Sequence, residues 1–534
     1  MSGFRESPVQ SAMLLAALLV VVVIPAVASA AGLTETGEDL RKDRDSTVEF
    51  DGYFRARGEG LYNLDLDRGP TPSGQYLYPL PLSKPSSPWL THGDMRLRTD
   101  LSVYPKNSQI GVHLRLDVLD NLAFGSTPRG TPLSTTSQKP PSWRDAFQIE
   151  RAYGQVLTPF GLLAVGRMGA HWGLGLLANS GDCRDCDSGD SADRIAFMTP
   201  IGGLIWGLAF DVAYRGPTID RLPNDRSLDL DPSDNVRTVT FAVTKFRRDW
   251  VRQRRRASGR ATFDYGAYVS HRWQKNDIPT SYVPTADDVE LGPSQVVERD
   301  FKAIAVDGWI RWLHPLFRVE IEAAYLGARI EHPSLIPGLK LNSPITSRQF
   351  GGALETNFGR VDSPVHIGAD AGYASGDDAP GFGARDQYRG ERPKGGDLDG
   401  AQASPPDDLR VDNFRFHPDY RIDRILFDEI IGTVTDAAYF RPHLHWKVAR
   451  FGPGAVDFTL AAPVSWAVQK NSAPGGESPL GVEVDPSLIY RNTRGFLVAF
   501  DYGVLFPFEG LAARSKDLPA KPAQIFKLTA LYQF

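Results

Sequence analysis

The chain has 534 residues, of which 42% are apolar, 10% aromatic and 23% charged, with a formal net charge of −5. An isoelectric point near 6.1 is not that of a basic nucleic-acid-binding surface, and no nucleic-acid partner is expected. A mean hydropathy of −0.27 and no apolar run of 18 residues exclude membrane-spanning helices. They do not exclude membrane strands, whose two faces average out in such a plot.

In chain order, the first element reads as an export signal. Arg5 supplies an early positive charge, residues 12–24 are an apolar run, Pro25 ends it, and Ala28-Ser29-Ala30 follows as an A-x-A cleavage site. About 13 apolar residues cannot cross roughly 30 Å of hydrocarbon, so a cleaved signal peptide over 1–30 is expected rather than an anchor helix. Residues 31–46 then form a short periplasmic segment, and 47–534 the folded domain. Export to an oxidising compartment makes the two cysteines, Cys183 and Cys186, a small loop disulfide.

From Val48 onward the recurring signal is alternation with a period of two. Leu97, Thr99, Leu101 and Val103 alternate with Arg96, Arg98, Asp100 and Ser102. Over 110–118, Ile110, Val112, Leu114, Leu116 and Val118 share one face, while Gly111, His113, Arg115 and Asp117 share the other. Phe317, Val319, Ile321, Ala323 and Tyr325 alternate with Arg318, Glu320 and Glu322. Phe496, Val498, Phe500, Tyr502, Val504 and Phe506 make a nearly unbroken apolar stripe. The chain closes with Phe526, Leu528, Ala530, Tyr532 and Phe534 on one face. A terminal aromatic on such a strand resembles the signal read by outer-membrane assembly machinery, which makes that machinery an expected partner through Phe534.

A soluble sandwich also alternates, so the connections decide. The breaks near 105–108, 158–161, 199–203, 314–316 and 450–454 are tight, whereas 63–91, 121–144, 170–192, 276–298 and 376–436 are long, polar and rich in proline and glycine. Short turns on one side and long loops on the other mark an outer-membrane barrel. The expected fold is therefore all-β, a single transmembrane antiparallel barrel with short periplasmic turns and long extracellular loops. Strands are expected to begin near Val48, Asp94, Gln109, Phe147, Leu162, Ile195, Leu204, Val236, Thr262, Phe301, Leu316, Arg348, Val365, Ala438, Val456, Val482, Phe496 and Gln524. That makes about 18 strands, or 16 if the weak pieces near Ile195 and Val482 drop out; an even count leaves both termini periplasmic. The location is the cell outer membrane, in contact with its lipid. Aromatic girdles are expected at Tyr104, Phe160, Trp250, Trp273, Trp312, Phe317 and Phe506. Pro442, Pro463 and Pro486 fit a closed sheet badly and call for bulges or boundaries. The basic connection over 247–256 reads as a solvated charge run.

Three groups of residues are candidates for function. Arg55, Arg57, Arg96, Arg98, Arg115, Arg151, Arg167, Arg311 and Arg318 have the parity of the lumen, where fixed positive charge would attract anions. The same faces carry Glu49, Asp51, Glu59, Asp100, Asp117, Asp307, Glu320 and Glu322, so internal pairing is the competing role. Asp182, Asp185, Asp187 and Asp190 offer alternating oxygen ligands around the disulfide, a weak calcium motif; no other cofactor is implied. The long loop over 377–436 carries Phe414, Phe416, Tyr420 and Phe427, apolar bulk that suits a constriction or plug inside the barrel. His443 and His445 lack a third metal ligand. No G-x-S-x-G, H-E-x-x-H, P-loop or dinucleotide fingerprint is present, and no enzyme is expected.

Two stretches, I-E-R-A-Y-G-Q-V over 149–156 and V-G-R-M-G-A-H-W-G-L-G over 165–175, resemble a strand pair of the alginate-export-like porins. A-G-Y-A-S-G-D-D over 371–378 and F-R-F-H-P-D-Y over 414–420 are similar to a second stretch of that group. The chain also resembles an uncharacterised family of predicted outer-membrane proteins of Gram-negative bacteria. The first resemblance implies an eighteen-stranded passive channel with an arginine-rich lumen for an acidic polysaccharide or other anion, with Arg151 and Arg167 at the motif arginines. The expected function is a porin, monomeric or trimeric, for small or polymeric solutes, anionic ones if the arginines dominate. The alternatives are a plugged barrel acting as a surface adhesin or scaffold and a barrel-type hydrolase.

Overall fold

A computed structural model describes residues 47–70, 76–81, 88–124, 147–183, 185–213, 232–277, 296–334, 338–360, 363–377, 409–513 and 518–534. The expected signal peptide, the 31–46 segment and the first part of the 377–436 loop (378–408) lie outside the described residues.

The chain runs β1 (Thr47–Tyr62), β2 (Trp89–Tyr104), β3 (Ile110–Ala123), β4 (Phe147–Thr158), β5 (Gly161–Gly169), β6 (Ser191–Ile201), β7 (Leu204–Ala213) and β8 (Val236–Lys245). A short helix α1 (Asp249–Ala257) leads to β9 (Thr262–Asp277), β10 (Val297–Leu313), β11 (Phe317–Ile330), β12 (Ile345–Phe358) and β13 (Val365–Ala374). The rest are β14 (Ala437–Phe451), β15 (Gly454–Ala461), β16 (Val464–Ala467), β17 (Pro479–Asn492), β18 (Phe496–Pro507) and β19 (Ala523–Gln533). Apart from β15 and β16, each strand pairs antiparallel with its sequence neighbours, and β1 pairs with both β2 and β19, for example Phe54 with Tyr532. The sheet is thus closed and has no free edge.

β15 and β16 are one barrel strand in two pieces. Both lie between β14 and β17, in a single register, with the gap at Ala462 and Pro463. Pro463 cannot donate to the ladder, and its carbonyl instead accepts from Glu483 N at 2.9 Å. Nineteen segments therefore make eighteen staves, and the count of 16 is excluded because β6 and β17 are full strands of 11 and 14 residues. Every expected strand start falls within five residues of the observed one. Among the described residues no helix is long and apolar enough to cross a membrane.

The faces of the wall are the reverse of a soluble sheet. Phe50, Val112, Leu208, Phe241, Ile367 and Leu528 are each about half exposed on the outside, whereas Arg55, Asp117, Asp264 and Glu322 are fully buried inside. A continuous apolar exterior of this extent is tolerable only in lipid. The chain is an outer-membrane-type transmembrane β-barrel. Phe160, Trp250, Trp312 and Phe506 stand exposed at strand ends or turns, as a girdle requires; Tyr104 departs from that expectation, being buried edge-on against His113.

The short connections all lie on one side, and the one holding α1 is the longest of them. Its arginines are not simply solvated: Arg247 and Arg252 reach Asp264 at 3.1 and 4.0 Å, and Arg256 donates to the Gly359 carbonyl at 3.3 Å. On the opposite side two long loops fold into the barrel, 170–190 and the described part of 377–436.

Candidate functional site

The loop over 170–190 enters beside β1 to β4 and turns at the disulfide Cys183–Cys186. The lumen arginines meet it. Arg55 donates to Asp187 at 2.8 Å, to the Cys186 carbonyl at 3.3 Å and to Asn121 at 2.5 Å. Arg57 spans Asp94 at 2.9 Å, Asp185 at 3.2 Å and Asp187 at 2.9 Å. Arg96 holds Asp120 and the Cys186 carbonyl, each at 2.7 Å. Arg98 forks onto Asp117 at 2.6 and 2.7 Å and donates to the Gly181 carbonyl. Arg115 joins Asp100 and Asp182, and Arg151 reaches Asp182 at 2.7 Å. Farther round, Arg311 pairs with Asp264 at 3.3 Å, and Arg318 with Glu320 and Glu355 at 2.5 and 2.9 Å. Eight of the nine expected arginines are inward and ion-paired.

Arg167 corrects the ninth assignment. It sits opposite Asp193, pairs with it at 2.8 Å, and both side chains are solvent-exposed. Its neighbour Val165 is 48% exposed on the same parity, so Arg167 faces outward. On β5 the inward positions are Leu162, Ala164 and Met168, all buried. At the extracellular end of a short strand, an ion pair lies above the apolar belt, where outward charge is tolerated.

Three of the four aspartates proposed for calcium are already neutralised by side-chain cations. Burial disfavours the charge on Asp182, but Arg115 and Arg151 outweigh it and hold the carboxyl well below the usual range. The same contest is won by Lys527, Arg421 and Arg57 at Asp185, and by Arg57, Arg421 and Arg55 at Asp187. Asp190 accepts from Asn179 N at 3.1 Å and lies 3.6 Å from His417. Side-chain cations thus already compensate the charge of Asp182, Asp185 and Asp187.

The second inward element spans 409–436. Phe414, Phe416, Tyr420 and Phe427 are all buried, in one cluster with Ile425, Leu426 and Leu176. Phe414 needs Gly351 on the wall, where an added Cβ would lie 2.3 Å from its ring. The two inward elements clasp each other: Asp419 accepts from Asp187 N at 2.9 Å and Ser188 N at 3.2 Å, and His417 N donates to the Leu176 carbonyl at 2.7 Å.

Each element is also tied to the wall by one glutamate receiving three successive backbone N–H groups. Glu322 on β11 accepts from Leu174, Gly175 and Leu176, the last two at 3.1 Å. Glu483 on β17 accepts from Arg424 at 2.8 Å, Ile425 at 2.9 Å and Leu426 at 3.2 Å. Sequence reasoning placed Glu322 in the lumen but gave it no partner, and it missed Glu483, Asp419 and Arg421. The available signal was the apolar run W-G-L-G-L-L over 172–177 inside an otherwise polar loop. His443 and His445 reach separate carboxylates, Asp370 at 3.3 Å and Asp457 at 3.9 Å.

Part of the remaining lumen is open among the described residues. Between the 170–190 loop and the wall from β6 to β11 lies a cavity of about 320 Å³. Its wall side is made of small residues, among them Ala192, Gly207, Ala209, Ala303 and Ala305, with Thr240 and Ser270. Toward the periplasmic end Trp172 meets Tyr268 edge-on at 5.2 Å, beside Trp309. Gly266 lets that indole descend, since a Cβ there would sit 2.8 Å from it. Arg194 is locked to Asp211 by two bonds of 2.6 and 2.8 Å, while Arg272 is exposed to the lumen.

No protein-family model matches the sequence, and no curated protein does. Among solved structures the chain is similar to OpdK (OccK1) of Pseudomonas aeruginosa, at 9% identity and a TM-score of 0.41, covering 91% of this chain and 98% of that one. It is similar to the outer-membrane channel DcaP of Acinetobacter baumannii at 12% identity and 0.35, covering 92% and 98%. OmpT of Vibrio cholerae, an outer-membrane protein, gives 11% and 0.32, covering 92% and 99%.

Proposed function

We propose that the barrel is a passive outer-membrane channel for small solutes, with its path along the small-residue wall from β6 to β11. The observation that carries this reading is the division of the lumen. Charged walls on β17 to β19 and β1 to β4, together with Glu322 on β11, hold the two inward elements; beside them, on part of β6 to β11, alanine, glycine, serine and threonine leave space. In this reading the arginines of β1 to β4 are anchors for the acidic loop rather than an open anion ladder, and the polymeric solute implied by the alginate-export resemblance gives way to small molecules. Any anion preference comes from Arg272. Phe534, hydrogen-bonded across the seam to Gly52 and stacked on Phe50 at 5.5 Å, doubles as the assembly signal.

The test is single-channel recording of refolded protein across a KCl gradient, with Arg96, Arg98 and Arg115 replaced together by Gln. Open steps with unchanged ion preference but larger, noisier currents in the variant support anchoring. A move of the reversal potential toward cations would restore the anion ladder, and a silent wild-type barrel would refute the channel. A plugged scaffold is the second reading, favoured by the apolar cluster around Phe416. Deleting 409–436 separates the two, since only a plug hides most of the conductance.

A further inference from the structure

The lumen cavity has a chemistry that a plain water path does not need. Water-filled barrels line their interiors with polar side chains, yet this wall is dominated by alanine and closed by an indole and a phenol. Concave sites of that kind, mostly apolar with a few placed polar groups, are how small molecules are held. Hydroxyls of Ser191, Thr240 and Ser270 are scattered along the wall, and the charged groups are mostly spent. Arg194 and Asp211 satisfy each other, and Asp190 is taken by Asn179 and His417. Arg272 differs: its Nε donates to Thr238 Oγ1 at 3.1 Å, and although it is near enough to Asp190 to attract its charge, among the described residues it makes no close salt bridge. Its side chain lines the cavity and is exposed.

We propose that this cavity is a binding subsite for a small mono-anion with a compact apolar body, its carboxylate on Arg272 and its body against Trp172, Tyr268 and the alanine wall. The proposal rests on the channel reading only for how the solute arrives. A guanidinium edge suits a carboxylate because it presents two parallel donors. A second negative charge would fall on alanine and aromatic surface with nothing to compensate it. A neutral solute would gain the wall but leave the Arg272 edge to water. A cation would have to compete for Asp190 with His417 and Arg272. About 320 Å³ admits a single ring with one substituent and leaves no room for a polymer.

The experiment is isothermal titration of the refolded full-length protein with sodium benzoate, benzamide and sodium acetate. Benzamide keeps the ring without the charge, and acetate keeps the charge without the ring. Benzoate should bind one to one and at least about tenfold more tightly than either control. Arg272→Gln should bring benzoate down to the level of benzamide while leaving benzamide unchanged, and Arg272→Lys should fall between. Ala305→Trp, which fills the cavity from the wall, should abolish both. Heat-modifiable gel migration establishes that each variant has folded. No binding by the wild type, equal affinity for benzoate and benzamide, or an Arg272→Gln variant that still prefers benzoate would overturn the subsite. The two readings fail separately: a barrel that binds benzoate but carries no current loses the channel, and one that conducts but ignores benzoate loses the subsite.

Discussion

Asp187→Asn is the most informative single change. Asp187 bonds Arg55 at 2.8 Å, Arg57 twice at 2.9 Å and Arg421 at 2.7 Å, so one carboxylate joins the wall, the acidic loop and the second inward element. Removing one partner of a buried pair costs about 3–5 kcal/mol. The Asp187 side chain is 30% exposed and both wall arginines keep Asp94, so we reduce this to about 2–3 kcal/mol. At about 1.4 kcal/mol per decade, the undocked fraction of the loop should rise roughly 30- to 140-fold. The barrel wall loses nothing, and its gel migration should not change. In a planar bilayer the signature is a new or longer-lived state of higher conductance, with dwell fraction raised by that factor. Asp185→Asn, at a side chain 41% exposed, should do much less. Recordings of Asp187→Asn that match the wild type would refute the anchoring role of the arginines.

Acid and base should act on the two inward elements in opposite directions. Docking depresses the carboxyls of Asp182, Asp185 and Asp187, so their contribution is whole above about pH 4 and fades only as pH falls below it. Burial, then Asp428, pushes Glu429 up to about 7, and burial does the same to Asp436. Their contribution is therefore present below about pH 4 and lost as pH rises through 7. Current noise should grow between about pH 5 and 8, and Glu429→Gln should flatten that rise. Replacing Cys183 and Cys186 together by Ser frees a loop with a sequence separation of 3, worth about 2 kcal/mol of docking on chain-entropy grounds; reducing agent should alter the conductance pattern of the wild type and leave that of the variant unchanged. Deleting Phe534 should lower the yield of surface barrel in cells far more than refolding yield in detergent, whereas equal losses would make it a seam residue alone.

The wall was legible because a barrel strand writes itself in the local order of residues. Each in-out alternation, such as Ile110 to Val118, needs no knowledge of its partner. Even Pro463 announced its break. The site was legible only in kind. Arg55 and Arg57 carried the parity of the lumen, but their partners Asp185 and Asp187 lie some 130 positions away, and no periodicity reports a contact at that distance. The sequence contained both the acidic loop and the arginines, and charge complementarity between them was available as a clue; the calcium reading took the aspartates alone. Arg167 failed for another reason: near the rim an outward charge and an inward one follow the same alternation, so parity counted from residue type alone mistakes one for the other.

The doubled glutamate anchor has a mechanical consequence. A hydrogen-bonded sheet bends readily about its strand direction, so a wide hollow cylinder of eighteen staves is soft to sideways squeezing. Here one inward element is tied to β11 through Glu322 and to β1 to β4 through the arginines, the other to β17 through Glu483, and the two are knotted together at Asp419. They act as spokes across a hoop. Lateral pressure from the bilayer is then carried across the cylinder as well as around it, including where Pro442, Pro463 and Pro486 take donors out of the wall's hydrogen-bond ladder.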